Sequence, residues 1–188
     1  LVDVIEHVKN PGEMILKCTK ILNNGGLLLI VTPRKDSFFK FILGFKWWHY
    51  RLAHVGYFSR KNLIKLCLHL KKKYKIKNSN ILGHSDIAPM RKKDPGEKFP
   101  WAKLRNKNVG IYYKNKKLRN LKIDHNKMRK LFFKNLFKIG YRYFDVKRRS
   151  KKDVNVVKAF QRRFLQKNVS GIIDKKSYII SHFLAKDL

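Results

Sequence analysis

Acidic residues and cysteines are scarce in this sequence, and it contains no long apolar run. Only 12 of the 188 residues are Asp or Glu, against 46 Lys and Arg, so the formal net charge is +34. The two cysteines, Cys18 and Cys67, lie within helical patterns and indicate small apolar side chains more than a disulfide framework. No stretch reaches the roughly 18 consecutive apolar residues that a transmembrane helix needs. These absences argue against a disulfide-stapled secreted domain and against a membrane-spanning chain.

The amino-terminal residues also lack the pattern of a secretory signal. The opening LVDVIEHVKN has no basic region followed by an apolar stretch. We therefore expect a cytoplasmic protein, with a periplasmic or cell-wall-associated protein as the alternative.

The excess of positive charge has two interpretations. It favours non-specific association with polyanions such as RNA or anionic cell wall. Alternatively, it reflects a general enrichment in Lys, Asn and Ile, and the spread of lysine along most of the chain favours this second interpretation. Hydrophobic residues make up 44% of the chain, which is enough for a packed core.

The first third of the chain has the pattern of a strand, a helix and a second strand. Residues 1–5 and 27–31 are short apolar runs typical of buried parallel strands. Between them, Asn10 and Pro11 are favoured at a helix start, and the Gly-Gly turn at 25–26 ends the helix. This order predicts a βαβ unit and an α/β fold.

DVIEHVKNPGEMILKCTKILNNGGLLLIVTP, continued by GFKWWHYRLAHVGYFSRKNL, resembles the second half of class I S-adenosylmethionine-dependent methyltransferases. The resemblance implies that Glu6 and His7 lie near the substrate side of the cofactor pocket. The Gly-rich turn and the ribose-binding acidic residue of that family are not in this sequence, so we do not expect S-adenosylmethionine to bind.

Residues 81–101, ILGHSDIAPMRKKDPGEKFPW, hold three of the five prolines of the chain. The apolar 81–83 run indicates the end of a buried strand, with His84 at its mouth. Pro89 and the Asp94-Pro95-Gly96 turn are expected to bring Asp94 back towards His84. An imidazole and a carboxylate that converge in this way are plausible zinc donors.

GHSDIAPMRKKDPGEKFPW resembles the zinc-dependent N-acetylmuramoyl-L-alanine amidases of the AmpD and AmiD kind, which hydrolyse the lactyl–L-alanine amide of peptidoglycan. The resemblance implies that His84 and Asp94 are zinc ligands and that Lys92 stabilises the oxyanion formed when zinc-bound hydroxide attacks the amide. The family's other His ligand and its general-base Glu would lie upstream, where this chain carries methyltransferase-like sequence. The expected cofactor is therefore zinc with an incomplete ligand set.

The last third of the chain has the pattern of three short helices. The first helix is expected to start at His125 and to end at Gly140. Asp153 is expected to cap the second helix, and Asp174 to start the third. VVKAFQRRFLQKNVSGIIDKKSYIISHFL resembles the peptidoglycan-binding three-helix module that often follows amidase domains. The resemblance implies peptidoglycan or muropeptides as partners.

Taken together, the patterns predict an α/β chain in three parts. A partial βαβ methyltransferase-like segment covers 1–63, a partial amidase α/β segment with a basic connector covers 64–124, and a three-helix bundle covers 125–188. The predicted function is that of the peptidoglycan amidase lineage, with hydrolysis impaired by the missing site residues. A non-catalytic peptidoglycan-binding or degenerate hybrid protein is the alternative, and a methyltransferase remnant is a further one.

Overall fold

The computed structural model describes residues 4–23, 28, 30, 32, 38–46, 59–113 and 124–188. The chain divides into two compact units, Leu1–His69 and Leu70–Leu188. The predicted three-part division, with boundaries after residues 63 and 124, stays a prediction.

The first unit begins with a 3₁₀ turn, Ile5–His7, and continues with helices α1, Pro11–Ile21, and α2, Phe38–Leu43, and a second 3₁₀ turn, Gly44–Lys46. The start of α1 is the one expected from the sequence. The Asn10 side chain accepts a hydrogen bond from the Glu13 backbone N–H at 3.1 Å, and Pro11 takes the first helical position, where no N–H is required.

Helix α3 spans Arg60–Lys73, with the Ser59 hydroxyl accepting from the Asn62 N–H at its start. The predicted boundary after residue 63 falls inside this helix. Cys18 in α1 and Cys67 in α3 are both free thiols of intermediate exposure. Burial raises the pKa of the Cys67 thiol, which therefore stays protonated and unreactive at neutral pH.

The second unit contains five further helices, separated by turns. They are α4, His84–Ile87; α5, Trp101–Asn106; α6, His125–Ile139; α7, Asp153–Phe164; and α8, Lys175–Lys186. The three long ones lie where the sequence predicts them. Gly140 ends α6 with a left-handed backbone, φ 116°, a conformation that carries little cost in glycine.

The core of the second unit lies among α6, α7 and α8 and is aromatic at its centre. The rings of Phe132 on α6 and Phe160 on α7 are fully buried and meet edge to face with centroids 5.2 Å apart. Apolar side chains of α8, including Ile179, Ile180 and Leu184, complete this cluster. It fixes the orientation of α7, and with it the side chains that α7 extends towards α4.

The α/β prediction is wrong for the residues that the structure describes, because they are helical and contain no β-strand. The predicted strand at 81–83 shows why. The Ile81 carbonyl accepts from the Arg163 side chain at 3.0 Å, and the Gly83 N–H donates to the Asp86 carboxylate at 2.9 Å. Side chains thus satisfy backbone groups that a strand would have paired with a neighbour. The predicted strands 1–5 and 27–31 lie largely outside the described residues, so neither completes a βαβ unit there.

Within the described ranges, every helix is too short or too polar to cross a lipid bilayer.

Candidate functional site

His84 and Asp94 meet at the start of α4. The His84 ring Nδ1 lies 2.9 Å from the Asp94 Oδ2, a direct hydrogen bond. A backbone bond holds the two residues in register, since the Ser85 N–H donates to the Asp94 carbonyl at 2.7 Å. The His84 side chain is 8% exposed and that of Asp94 is 48% exposed, so the carboxylate is the part of the pair that faces solvent.

The loop between the two residues turns through local hydrogen bonds. The Ala88 carbonyl accepts from both Arg91 N–H and Lys92 N–H, and the Gly96 N–H donates to the Lys93 carbonyl at 2.9 Å. The convergence expected from the Pro and Gly punctuation is therefore present. Lys92 lies on this loop and is half-buried. Its role at an oxyanion, and the roles of His84 and Asp94 as metal ligands, stay predictions.

Gly83 occupies a position that is closed to any side chain. A Cβ built there would lie 2.8 Å from Pro95 Cδ and 3.1 Å from the Trp101 ring. Both neighbours are rigid, because one belongs to a proline ring and the other to a buried indole. The absent side chain lets the loop after Asp94 close directly against the start of α4.

We expect Gly83→Ala to destabilise the second unit by about 1–3 kcal/mol, because the new methyl group forces Pro95 or Trp101 to move. The shift would also separate Asp94 from His84. Urea unfolding of the full chain measures the first effect, and the chemical shifts of the His84 ring measure the second. Gly12→Ala is the control, since a Cβ at that helical position meets nothing closer than 3.5 Å. Equal stability of the Gly83 and Gly12 variants would contradict the close packing.

A second polar cluster, which sequence reasoning missed, lies directly behind α4. Asp86 is 5% exposed and accepts three hydrogen bonds. Its Oδ1 accepts from the Tyr141 hydroxyl at 2.6 Å, and its Oδ2 accepts from Arg163 Nη1 at 2.6 Å and from the Gly83 N–H at 2.9 Å. The Asp86 carboxylate is thus a buried junction between α4, the residue after the end of α6 and α7.

Arg163 is the cation of this cluster and is 2% exposed. Besides Asp86, its guanidinium donates to the carbonyls of Ile81 at 3.0 Å and Ile111 at 3.3 Å. It also stacks over the Trp101 ring, with 4.1 Å between the guanidinium carbon and the ring centroid. The charge is therefore paired and covered, and both Nη atoms are hydrogen-bonded, as a buried ion requires. The buried Nε atom has no hydrogen-bond partner among the described residues.

Tyr141 is held as a neutral donor. Burial and the neighbouring Asp86 carboxylate raise the pKa of its phenol well above the usual value, although the Arg163 charge acts in the opposite direction. The phenol consequently keeps its proton and its bond to Asp86 across the physiological range. The sequence signal for this cluster was the Arg162-Arg163 pair, which interrupts the apolar side of a helix that is otherwise core-spaced.

Two more contacts link α7 to the same loop. Arg162 Nε lies 3.1 Å from Glu97 Oε1, and the Gln166 amide donates to the Phe99 carbonyl at 2.6 Å. Helix α7 and the residue just beyond its end therefore contact the segment that follows the Asp94-Pro95-Gly96 turn.

The donor set of the His84–Asp94 pair fits two positions of a zinc site and no more. Two donors of a tetrahedral zinc, at bond lengths of about 2.0–2.1 Å, lie about 3.3–3.4 Å apart. The observed 2.9 Å would need to open by only a few tenths of an ångström. Across residues 59–113 and 124–188 and the described parts of the first unit, no three His, Cys, Asp or Glu side chains come together as a metal-binding group. A catalytic zinc needs three protein ligands and a water, so the described residues do not complete one.

Comparison with known proteins finds two kinds of similarity. Residues 1–70 match a family model described as a methyltransferase domain. Over 50 residues the chain is 44% identical to the N-acetylmuramoyl-L-alanine amidase AmiD of Escherichia coli strain K12, a match that covers 27% of this chain and 18% of that protein.

Solved structures of amidases are similar over a longer stretch. The complex of E. coli AmiD with the substrate anhydro-N-acetylmuramic acid-L-Ala-D-γ-Glu-L-Lys is 25% identical with a TM-score of 0.58, covering 73% of this chain and 53% of that one. AmpDH3 from Pseudomonas aeruginosa has a similar fold, at 23% identity and a TM-score of 0.57, covering 73% and 54%. The chain thus spans about half the length of these solved relatives. The resemblances to methyltransferases and to amidases inferred from the sequence are confirmed as similarities. The resemblance of the last three helices to a peptidoglycan-binding module stays a prediction.

Proposed function

We propose that the second unit binds peptidoglycan-derived muropeptides at a remnant of an amidase site, where His84 and Asp94 hold zinc weakly and hydrolysis of the lactyl–L-alanine amide is impaired. The observation that carries the proposal is the partly buried 2.9 Å contact between these two zinc-type donors, without a third beside them in the described ranges. The amidase lineage of this part supports the ligand class, since the similar AmiD is solved with a muropeptide substrate.

The residues present would do part of the family's work. Bound zinc supplies a Lewis acid that polarises a carbonyl and lowers the pKa of a bound water. His84 and Asp94 would hold it, and Lys92 is a cation on the same loop, suited to a developing oxyanion. Two protein donors leave the ion loosely placed, because a complete zinc site has three or four. Binding without efficient turnover is the expected result.

The experiment is a zinc titration of the full chain, followed by a cleavage assay with anhydro-N-acetylmuramic acid-L-Ala-D-γ-Glu-L-Lys. We expect zinc to bind more weakly than about 1 μM, since two donors fall short of the roughly 10–16 kcal/mol of complete zinc sites. We expect His84→Ala to remove this binding and the muropeptide to be cleaved slowly or not at all.

His182→Ala is the matched control, because this imidazole is exposed on α8, remote in sequence from the loop. Tight stoichiometric zinc together with muropeptide turnover, both abolished by His84→Ala, would contradict the impairment and establish an intact amidase. Zinc binding that His84→Ala leaves unchanged would refute the site itself.

The methyltransferase-like residues 1–70 carry no activity in this proposal. The match to a methyltransferase domain covers them, but the sequence lacks the Gly-rich turn and the acidic residue that bind the cofactor in that family. Non-specific polyanion association stays a prediction of the net charge, recognisable by a steep loss of RNA binding with salt.

A further inference from the structure

The two members of the His84–Asp94 pair lie on two short arms of the chain. The first arm, residues 81–86, carries His84, and the second arm, residues 94–99, carries Asp94. A backbone hydrogen bond joins the arms, from the Ser85 N–H to the Asp94 carbonyl at 2.7 Å. Two segments joined by a hydrogen bond can pivot about it, so this bond alone does not fix the angle at which the imidazole and the carboxylate meet.

The first arm is held from behind by a side chain of α7. The Arg163 guanidinium donates to the Ile81 carbonyl at 3.0 Å and to Asp86 Oδ2 at 2.6 Å, and the same carboxylate oxygen accepts from the Gly83 N–H at 2.9 Å. Because Arg163 is 2% exposed, water does not compete for these bonds. His84 therefore lies between two points of the chain that one buried side chain fixes.

The second arm is held by the end of the same helix. Arg162 Nε lies 3.1 Å from Glu97 Oε1, and Gln166, two residues beyond the end of α7, donates its amide to the Phe99 carbonyl at 2.6 Å. These two contacts lie three and five residues after Asp94 in the chain. Both arms are thus attached to side chains from one end of one helix.

Helix α7 is a rigid base for these attachments. The rings of Phe160 and Phe164 are buried in the core of the bundle, with centroids 4.9 Å apart. Close-packed side chains of this kind hold a helix in one orientation. The attachment points of the two arms therefore cannot move independently of each other.

We propose that Arg162, Arg163 and Gln166 are positioning residues, which set the distance and the angle between His84 and Asp94. The helical bundle is then a structural part of the site. The positioning role concerns the metal-free pair, and only its effect on a bound cation rests on the function proposed above. Groups that orient metal ligands typically change metal affinity 10- to 100-fold.

The test compares an Arg162→Met, Gln166→Met double variant of the full chain with the wild type in two measurements. The first is the chemical shifts of the His84 ring in the metal-free chain, which we expect to change because the released arm carries Asp94 away from its 2.9 Å contact. The second is a zinc titration, in which we expect binding to weaken by about tenfold or more. Loss of the Arg162 charge alone would favour a cation, so weaker binding would not be an effect of charge.

Arg163→Lys tests the attachment of the first arm. Lysine keeps a positive charge beside Asp86, but its single ammonium group does not reproduce the planar fork that reaches Asp86 and the Ile81 carbonyl together. We expect the His84 ring shifts to change in this variant as well. Ring shifts that stay at their wild-type values in both the double variant and Arg163→Lys would overturn the proposal.

Gln161→Met is the matched control. Gln161 lies on α7, is fully buried, and also donates its amide to a backbone carbonyl, that of Ile172 at 2.8 Å, in the loop before α8. We expect this variant to unfold at a lower urea concentration but to keep the wild-type His84 ring shifts and zinc affinity. Changes as large as those of the double variant would mean that general loosening of the bundle perturbs the pair, and would overturn the proposal.

The outcome is separable from the failure of the proposed function. His84 ring shifts that respond to the α7 variants and not to Gln161→Met, in a chain that binds no zinc, would support the positioning role and remove the proposed zinc site. Zinc binding that His84→Ala removes, in a chain whose α7 variants keep wild-type ring shifts and zinc affinity, would do the reverse.

Discussion

Replacing Arg163 by methionine is expected to lower the free energy of unfolding of the second unit by about 3–5 kcal/mol, the cost of leaving a buried charge without its partner. Asp86 is the charge left behind, and it is 5% exposed. The Ile81 and Ile111 carbonyls would lose their side-chain donor at the same time, and the stacking on Trp101 would be lost. The effect is measured by urea unfolding followed through tryptophan fluorescence and circular dichroism.

Arg162→Met is the adjacent control. Arg162 is also buried, but its partner Glu97 has a side chain that is 47% exposed and keeps its hydration when the pair is broken. We expect a loss of about 1 kcal/mol for this variant. Adding Asp86→Ala to Arg163→Met should recover part of the stability, because it removes the unpaired carboxylate. Equal losses for the Arg162 and Arg163 variants, or no recovery in the double variant, would contradict the buried-pair interpretation.

Phe160→Ala is the second large effect, with an expected loss of about 3–5 kcal/mol. The Phe160 ring is fully buried and contacts three other rings, those of Phe132, Phe164 and Tyr141, with centroid distances of 5.2, 4.9 and 6.2 Å. The cavity would lie beside Tyr141, which donates to Asp86. We therefore expect α4 to be destabilised as well. Hydrogen exchange measures this effect, as faster exchange of the Gly83 and Ser85 amides.

Phe137→Ala provides the comparison, since it removes the same side chain from the same helical bundle, but at a position on α6 that is 46% exposed. Its loss should remain below about 1 kcal/mol and leave the Gly83 and Ser85 amides protected. Protection of these amides that survives Phe160→Ala would show that the core and α4 are energetically independent.

The features that sequence predicted correctly are those set by local chemistry. Asn10 with Pro11 at the start of α1 and Gly140 at the end of α6 each act within a few residues, so their patterns are visible in the chain. The meeting of His84 and Asp94 belongs to the same class, because ten residues and the intervening turns suffice to bring them together. Asp153 is a partial exception, since its carboxylate bonds back to the Ser150 N–H from the first position inside α7.

The features that sequence did not predict depend on partners far along the chain. Residues 81–83 have the apolar character of a strand end, but the competing partner, Arg163, lies 82 residues from Ile81. Asp86 and Tyr141 are 55 residues apart, and nothing near either residue announces the other. The spacing of apolar residues predicts which face of a helix is buried. It does not predict which distant backbone carbonyl or carboxylate a buried charged side chain will bind.

The position of Arg163 has a consequence for inheritance. Arg163 on α7 neutralises Asp86, the buried carboxylate next to His84 in α4. Replacing the loop without the helical bundle, or the bundle without the loop, would leave one of these two charges buried without a partner. Exchange of the sequence upstream of residue 70 disturbs no bond of that cluster. A change of sequence before residue 70 therefore leaves the charges of this cluster balanced.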